Sequence, residues 1–68
     1  MRKGSAGQQV KAAQTELNKV GKELNVDGRF DDGTDKAVRD FQSDVGLPND
    51  GILGPNTWRE LITRREVS

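Results

Sequence analysis

The stretch Asp27-Gly28-Arg29-Phe30-Asp31-Asp32-Gly33-Thr34 returns, altered but recognisable, as Asp50-Gly51-Ile52-Leu53-Gly54-Pro55-Asn56-Thr57. The copies lie 23 residues apart (50 − 27), and the same offset pairs Gly28 with Gly51, Phe30 with Leu53, Thr34 with Thr57 and, further on, Val38 with Leu61. Asp-Gly is turn chemistry: the aspartate side chain bonds nearby backbone and glycine accepts a positive φ without steric cost. The apolar residue two places after the glycine is free to point inward, and helical spacing of apolar residues resumes just after the threonine. Each copy therefore reads as turn, inward plug and helix start. Asp31 is placed to cap the helix after the first copy. Gly54 and Pro55 suit the N-cap and first helical position after the second.

Outward from these turns the chain reads as three helices. Val10, Ala13, Leu17, Val20 and Leu24 recur at alternating steps of three and four, predicting a first helix from Gln8 to about Lys22. A second, from about Asp32 to Asp44, presents Ala37, Val38, Phe41 and Val45 on one side and stops at Gly46, after which Leu47 folds back. A third, from Pro55 to about Arg64, turns Trp58, Leu61 and Ile62 inward, and Arg64 and Arg65 suit the negative end of its dipole. Strand structure is confined to short pieces around Val26–Phe30 and Ile52–Leu53, too short for an independent sheet. The expected class is all-α, a small three-helix bundle with two Asp-Gly turn elements.

A chain of 68 residues makes one small domain with room for neither a deep cavity nor a generous core. Its core must draw on nearly all of Val10, Ala13, Leu17, Val20, Leu24, Val26, Phe30, Ala37, Val38, Phe41, Val45, Leu47, Ile52, Leu53, Trp58, Leu61 and Ile62. Residues 1–7, with Gly4-Ser5-Ala6-Gly7, read as a flexible, disordered leader, residues 8–65 as the folded domain and 66–68 as a tail. Eleven basic and eleven acidic residues cancel, so no basic face favours nucleic acid or an anionic membrane. Arg59, Arg64 and Arg65 are offset by Glu60 and Glu66. No apolar run approaches the length of a bilayer span, and the first residues lack the apolar stretch of an export signal. Without cysteine the chain forms no disulfides, which leaves the compartment open.

The residue inventory weighs against catalysis. With no histidine and no cysteine the chain lacks the usual zinc ligands, a thiol nucleophile and a Ser–His pair. A carboxylate pair drawn from Asp27, Asp31, Asp32, Asp50 and the glutamates would need a shared water-excluding cleft that so small a core hardly provides. Calcium fits no better. Aligned on the loop glycine of an EF-hand, the first copy places Thr34 where the bidentate glutamate belongs, and the second places Gly46 and Pro48 at the first and third positions. Turn and capping chemistry accounts for Asp27 and Asp50, with ligand contact as a second role. No metal or other cofactor is expected.

Taken together, Val10…Ala13-Gln14…Leu17, Asp27-Gly28-Arg29-Phe30…Thr34…Ala37-Val38…Phe41-Gln42…Gly46-Leu47 and Asp50-Gly51-Ile52…Gly54…Thr57-Trp58…Leu61 resemble the peptidoglycan-binding domain of bacterial and phage cell-wall hydrolases. The resemblance covers nearly the whole chain and is specific in order and spacing. Asp31 departs from it, standing where the family usually has glycine, and Ala13 stands where leucine is commoner. The resemblance implies a non-catalytic, monomeric module that binds peptidoglycan at the bacterial cell wall, in the periplasm or outside the cell, and tethers an attached hydrolase there. Related modules precede the zinc-blocking cysteine of matrix metalloproteinase proenzymes, but this chain has no cysteine. The alternative is a small protein-interaction module using an exposed helix face.

Candidate contacts are Arg29 and Asn49 at the turn tips, Asp27 and Asp50, Gln42 and Trp58, around a shallow groove between the two Asp-Gly loops and the ends of the second and third helices. For Gln42, beside the Gly46–Asp50 loop, two readings stay open: its amide meets peptide or acetamido groups of a ligand, or it pins that loop to the second helix. For Trp58 the choice lies between core packing and a partly exposed edge for sugar.

Overall fold

In the computed structural model, which describes residues 1–67 and the side chains of residues 1–64, the apolar stripe of α1 (Gln8–Lys19) packs against both α2 (Asp32–Asp44) and α3 (Pro55–Val67). Val10, Ala13 and Leu17 from α1, Ala37, Val38 and Phe41 from α2, Leu61 from α3 and the two plugs, Phe30 and Leu53, form the buried core. The expected all-α bundle is therefore the fold, with no regular strand among the described residues.

Helix boundaries follow local chemistry. Asp31 holds an extended backbone (φ −103°) and its side chain accepts a hydrogen bond from Thr34 N at 3.2 Å, so α2 starts at Asp32 as its sequence predicts. The glycine usual at this position is not needed at such a φ. At the other end Gly46 takes φ +78°, Gly46 N donates to Ser43 O at 3.2 Å and Leu47 N to Gln42 O at 2.8 Å. This paired closure satisfies carbonyls the helix would otherwise leave open. The same closure, built on Gly21 at φ +94° with Lys22 N donating to Leu17 O at 2.9 Å, ends α1 at Lys19. That is short of the expected Lys22, because a helix cannot run through a left-handed residue. At the other extreme α3 runs past Arg64 to Val67. The tail expected at 66–68 thus overlaps this helix, and Ser68 lies outside the described residues.

Two expected core residues are not in it. Val26 is 43% and Ile52 45% exposed. Ile52 precedes the inward Leu53 in an extended turn, where neighbouring side chains face opposite ways. It occupies the position that Arg29 holds in the first loop. Val20, Leu24, Val45 and Trp58 pack half-buried against the core, and Leu47 and Ile62 are also half-buried.

The expectation of a free leader is also corrected. Gly4 N donates to Phe30 O at 3.0 Å, Phe30 N to Ser5 O at 2.9 Å and Gly7 N to Gly28 O at 2.9 Å, with a single β-bridge between Ala6 and Arg29. Further along the strap, Leu53 N donates to Met1 O at 2.6 Å and the Met1 ammonium to Leu53 O at 3.1 Å. Phe30 and Leu53 point their side chains into the core, and their backbone groups still need partners. Residues 1–7 supply them to both loops.

Deleting residues 1–5 is expected to lower stability by about 2 kcal/mol or more, since four hydrogen bonds to the loops are lost and each is worth about 0.5–1.5 kcal/mol net of solvent. Urea denaturation measures the loss. Hydrogen exchange at the Phe30 and Leu53 amides should accelerate by more than at Leu17 or Val38.

Candidate functional site

Each Asp-Gly loop is folded around a glutamine on the preceding helix. Gln14 is 1% exposed, and its Nε2 lies 3.0 Å from Asp27 Oδ1, from Arg29 O and from Thr34 Oγ1, while its Oε1 accepts from Gly28 N at 3.0 Å. Gln42, also 1% exposed, repeats the set: Nε2 to Asp50 Oδ1 at 3.1 Å, to Ile52 O at 2.9 Å and to Thr57 Oγ1 at 3.1 Å, with Gly51 N donating to Oε1 at 3.1 Å. The buried threonines are thus partners of an amide as well as first-turn residues of a helix. Gln14 was not singled out from sequence, although a signal exists. It stands four residues after Val10 and three before Leu17, on the buried stripe, as Gln42 stands between Val38 and Val45.

The helices repeat at their own offset. Val10 and Val38, Lys11 and Arg39, Ala13 and Phe41, and Gln14 and Gln42 are each 28 residues apart (42 − 14). Arg39 braces the second loop, its Nη1 donating to Asn49 O at 3.1 Å and its Nε meeting Asp35 Oδ2 at 3.0 Å. Gly51, at φ +77°, lies so close to this pair that a Cβ there would come within 2.5 Å of Asp35 Oδ1. The loop therefore fits only as glycine permits.

The aspartates are held by one oxygen each. Asp27 Oδ1 accepts from Arg29 N at 2.9 Å as well as from Gln14, and Asp50 Oδ1 accepts from Ile52 N at 2.9 Å as well as from Gln42. The Arg29 amide, reinforced by the Gln14 amide, holds the Asp27 carboxyl below the usual aspartate range. The Ile52 amide does the same for Asp50, with help from Gln42 and Arg39, against partial desolvation.

The six candidate residues do not share one groove. Gln42 and Asp50 back a cleft of about 200 Å³ with Leu47, Pro48, Ile52 and Asn56. Asp27 lines an equivalent cleft of about 230 Å³ with Leu24, Asn25, Asp31 and Gly33. The offset of 23 relates the two linings, Leu24 to Leu47, Asn25 to Pro48 and Gly33 to Asn56. Trp58 instead lines a groove of about 570 Å³ with Leu53, Gly54 and Pro55. Arg29 and Asn49 are exposed on their turns and line none of these. The single groove expected between the loops is divided because each loop closes on its own glutamine. Of the two readings of Gln42, the geometry favours the pin: its amide is committed to the loop and has almost no exposed surface.

Both glutamine-centred loops fall within the segment, residues 6–61, that matches the sequence profile of the putative peptidoglycan binding domain. The chain belongs to that family. It is 39% identical over 61 residues to a zinc D-Ala-D-Ala carboxypeptidase of Streptomyces albus G, an alignment that takes in 85% of this chain and 24% of that protein. The chain thus spans about a quarter of that relative's length. Among solved structures, the SleB N-terminal domain superposes with a TM-score of 0.91 at 36% identity, covering 96% of this chain and 90% of that one. A peptidoglycan-binding protein from Clostridioides difficile, solved in complex with glutamine hydroxamate, superposes with a TM-score of 0.88 at 46% identity, covering 90% of this chain and 39% of that one. Its family places the chain among binding domains.

Two outcomes test this geometry. Gln14→Leu and Gln42→Leu are each expected to cost about 3 kcal/mol or more in chemical denaturation, because several buried loop groups lose a partner worth about 1–3 kcal/mol apiece. That is a large share of the stability expected of a domain this size, about 0.05–0.15 kcal/mol per residue. Acid stability is the second. Both aspartate values are depressed on folding, so their contribution is complete at neutral pH and is lost as pH falls below the ordinary value of about 3.9 toward the folded one. Tm should drop across that window. In an Asp27→Asn/Asp50→Asn variant, whose amide oxygens still accept the loop bonds, the drop should be shallower.

Proposed function

We propose that this domain binds peptidoglycan and holds an associated cell-wall hydrolase on its substrate without taking part in the chemistry. The observation that carries this is the pinned carboxylate of Asp50. One oxygen is fixed by the Ile52 amide and Gln42, and the other makes no hydrogen bond among the described residues. It stands at a cleft with the exposed side chains of Pro48, Ile52 and Asn56. An acceptor already fixed in place gives up little rotamer freedom when it meets a hydroxyl or amide N–H. Beside it, apolar surface and a neutral amide suit a polar, largely uncharged polymer. The family match supports the same ligand.

Several features support a tethering role. The chain has neither histidine nor cysteine, and the carboxypeptidase it resembles is about four times longer than the shared segment. A monomeric anchor acting at the cell wall, in the periplasm or outside the cell, keeps a linked enzyme at high local concentration, so that modest affinity suffices. The alternative of an exposed helix face has less support: among the described residues the large exposed hydrophobic side chains, Val26 and Ile52, both lie in loops.

Sedimentation with protein-free sacculi, with cellulose as control, checks the proposal. Selective pelleting is expected, and Ile52→Ser and Asn56→Ala should each weaken binding about fivefold, roughly 1 kcal/mol, at unchanged Tm. A folded chain that stays in the supernatant with sacculi would sink it.

A further inference from the structure

The groove beside Trp58 differs in chemistry from the other clefts. Gln9 and Ala12 of α1, Leu53, Pro55 and Trp58 line it together with Met1, and among the described residues no Asp, Glu, Lys or Arg side chain does. Four other clefts on the surface each carry at least one such side chain, Asp44 or Asp40 in two of them and Asp27 or Asp50 in the two loop clefts. Its volume, about 570 Å³, lies in the range of about 300–1,000 Å³ typical of small-molecule sites. Phe30 and Phe41 are 2% exposed, and Phe41 only edges a cleft that it shares with Asp44, Glu60 and Arg64, whereas Trp58 is half-buried and offers more of its ring to the groove it lines. The Gln9 side chain is exposed and makes no hydrogen bond among the described residues. Gly54 and Pro55 line both this groove and the Asp50 cleft, so the two form one continuous surface.

We infer that this groove is a sugar subsite, taking an N-acetylated ring of the glycan strand against Trp58 while Gln9 bonds its acetamido or hydroxyl groups. This rests on the peptidoglycan reading and names which part of the polymer is held. The choice between glycan and stem peptide follows from charge. Stem peptides carry carboxylates, and such a group would lose hydration against Leu53, Pro55 and Ala12 without a charged side chain to replace it. An N-acetylated sugar presents apolar ring faces, a methyl group and neutral hydrogen-bonding groups. These match an indole, aliphatic walls and a free amide. The ammonium of Met1 is held by Leu53 O at 3.1 Å.

Trp58 is the sole tryptophan, so its fluorescence reports on this groove directly. Glycan strands freed of peptide by an amidase are expected to shift its emission saturably, and isolated stem peptides to leave it unchanged. Ala12→Arg, which fills the groove from an exposed helical position, should weaken glycan binding about tenfold with unaltered circular dichroism and melting. Gln9→Glu offers a second, smaller perturbation that also leaves the core intact, and should weaken it in the same direction. A chain bearing an N-terminal extension, which replaces the Met1 ammonium with a peptide N–H, should bind glycan equally well. If sacculi pellet the chain while free glycan leaves Trp58 emission unchanged, or if stem peptide shifts it instead, the sugar subsite is overturned and peptidoglycan binding stands. If sacculi fail to pellet the chain, both fall.

Discussion

A buried primary amide has to be given hydrogen-bond partners, and in this domain that requirement organises nearly everything else. Gln14 and Gln42 sit on the inward stripes of α1 and α2 at 1% exposure, where an unsatisfied amide would cost about 1–3 kcal/mol. Their partners come from a loop that starts with Asp-Gly and ends with a threonine in the first turn of the next helix. One side chain thereby fixes the turn glycine, the aspartate, a loop carbonyl and the helix start together. Low contact area in so short a chain makes such polar cross-links matter, since apolar burial alone is scarce.

The result is two overlapping copies of one unit, helix then loop then helix start, with α2 serving both. Its beginning completes the first copy through Thr34 and its middle opens the second through Gln42. Helix positions repeat at 28 residues and loop positions at 23, because the connection from Gln14 to Asp27 is five residues longer than that from Gln42 to Asp50. The residues 1–7 strap then ties the two loops to each other at Phe30 and Leu53. Both plugs are thus fixed on two sides, by core packing of the side chain and by pairing of the backbone.

Rigidity of this kind also shapes the proposed binding face. The carboxylates of Asp27 and Asp50 are oriented by the same bonds that close the loops, so on the proposed reading scaffold and ligand acceptor are one group. The repeated element makes two such clefts, and their linings differ. The first is lined by Glu23, Asp27 and Asp31, whereas the second carries Asp50 among Leu47, Pro48 and Ile52. Next to the second lies the groove of Trp58, whose charge is confined to the Met1 ammonium among the described residues, and which extends the same surface over Gly54 and Pro55.

Much of the fold was legible in the sequence, because its signals are local. Asp-Gly pairs dictate turns, Gly46 dictates a helix end, Asp31 dictates a cap, and the three-and-four spacing from Val10 dictates a stripe; each acts through backbone geometry or periodicity within a few residues. The candidate site was legible only in part. Asp27, Asp50 and Trp58 line clefts, whereas Gln42 is buried and bonded to its loop, Gln14 is buried in the equivalent place, and Ile52 and Val26 face outward. What the sequence by itself determined was therefore the three helices, the two turns and their family. Tertiary structure alone decided which polar side chains are buried, that residues 1–7 pair with both loops, and how the exposed remainder is divided into separate clefts. Those outcomes depend on contacts between residues 8 to 52 positions apart, and no local propensity encodes which distant partner will satisfy a buried amide or an open backbone edge.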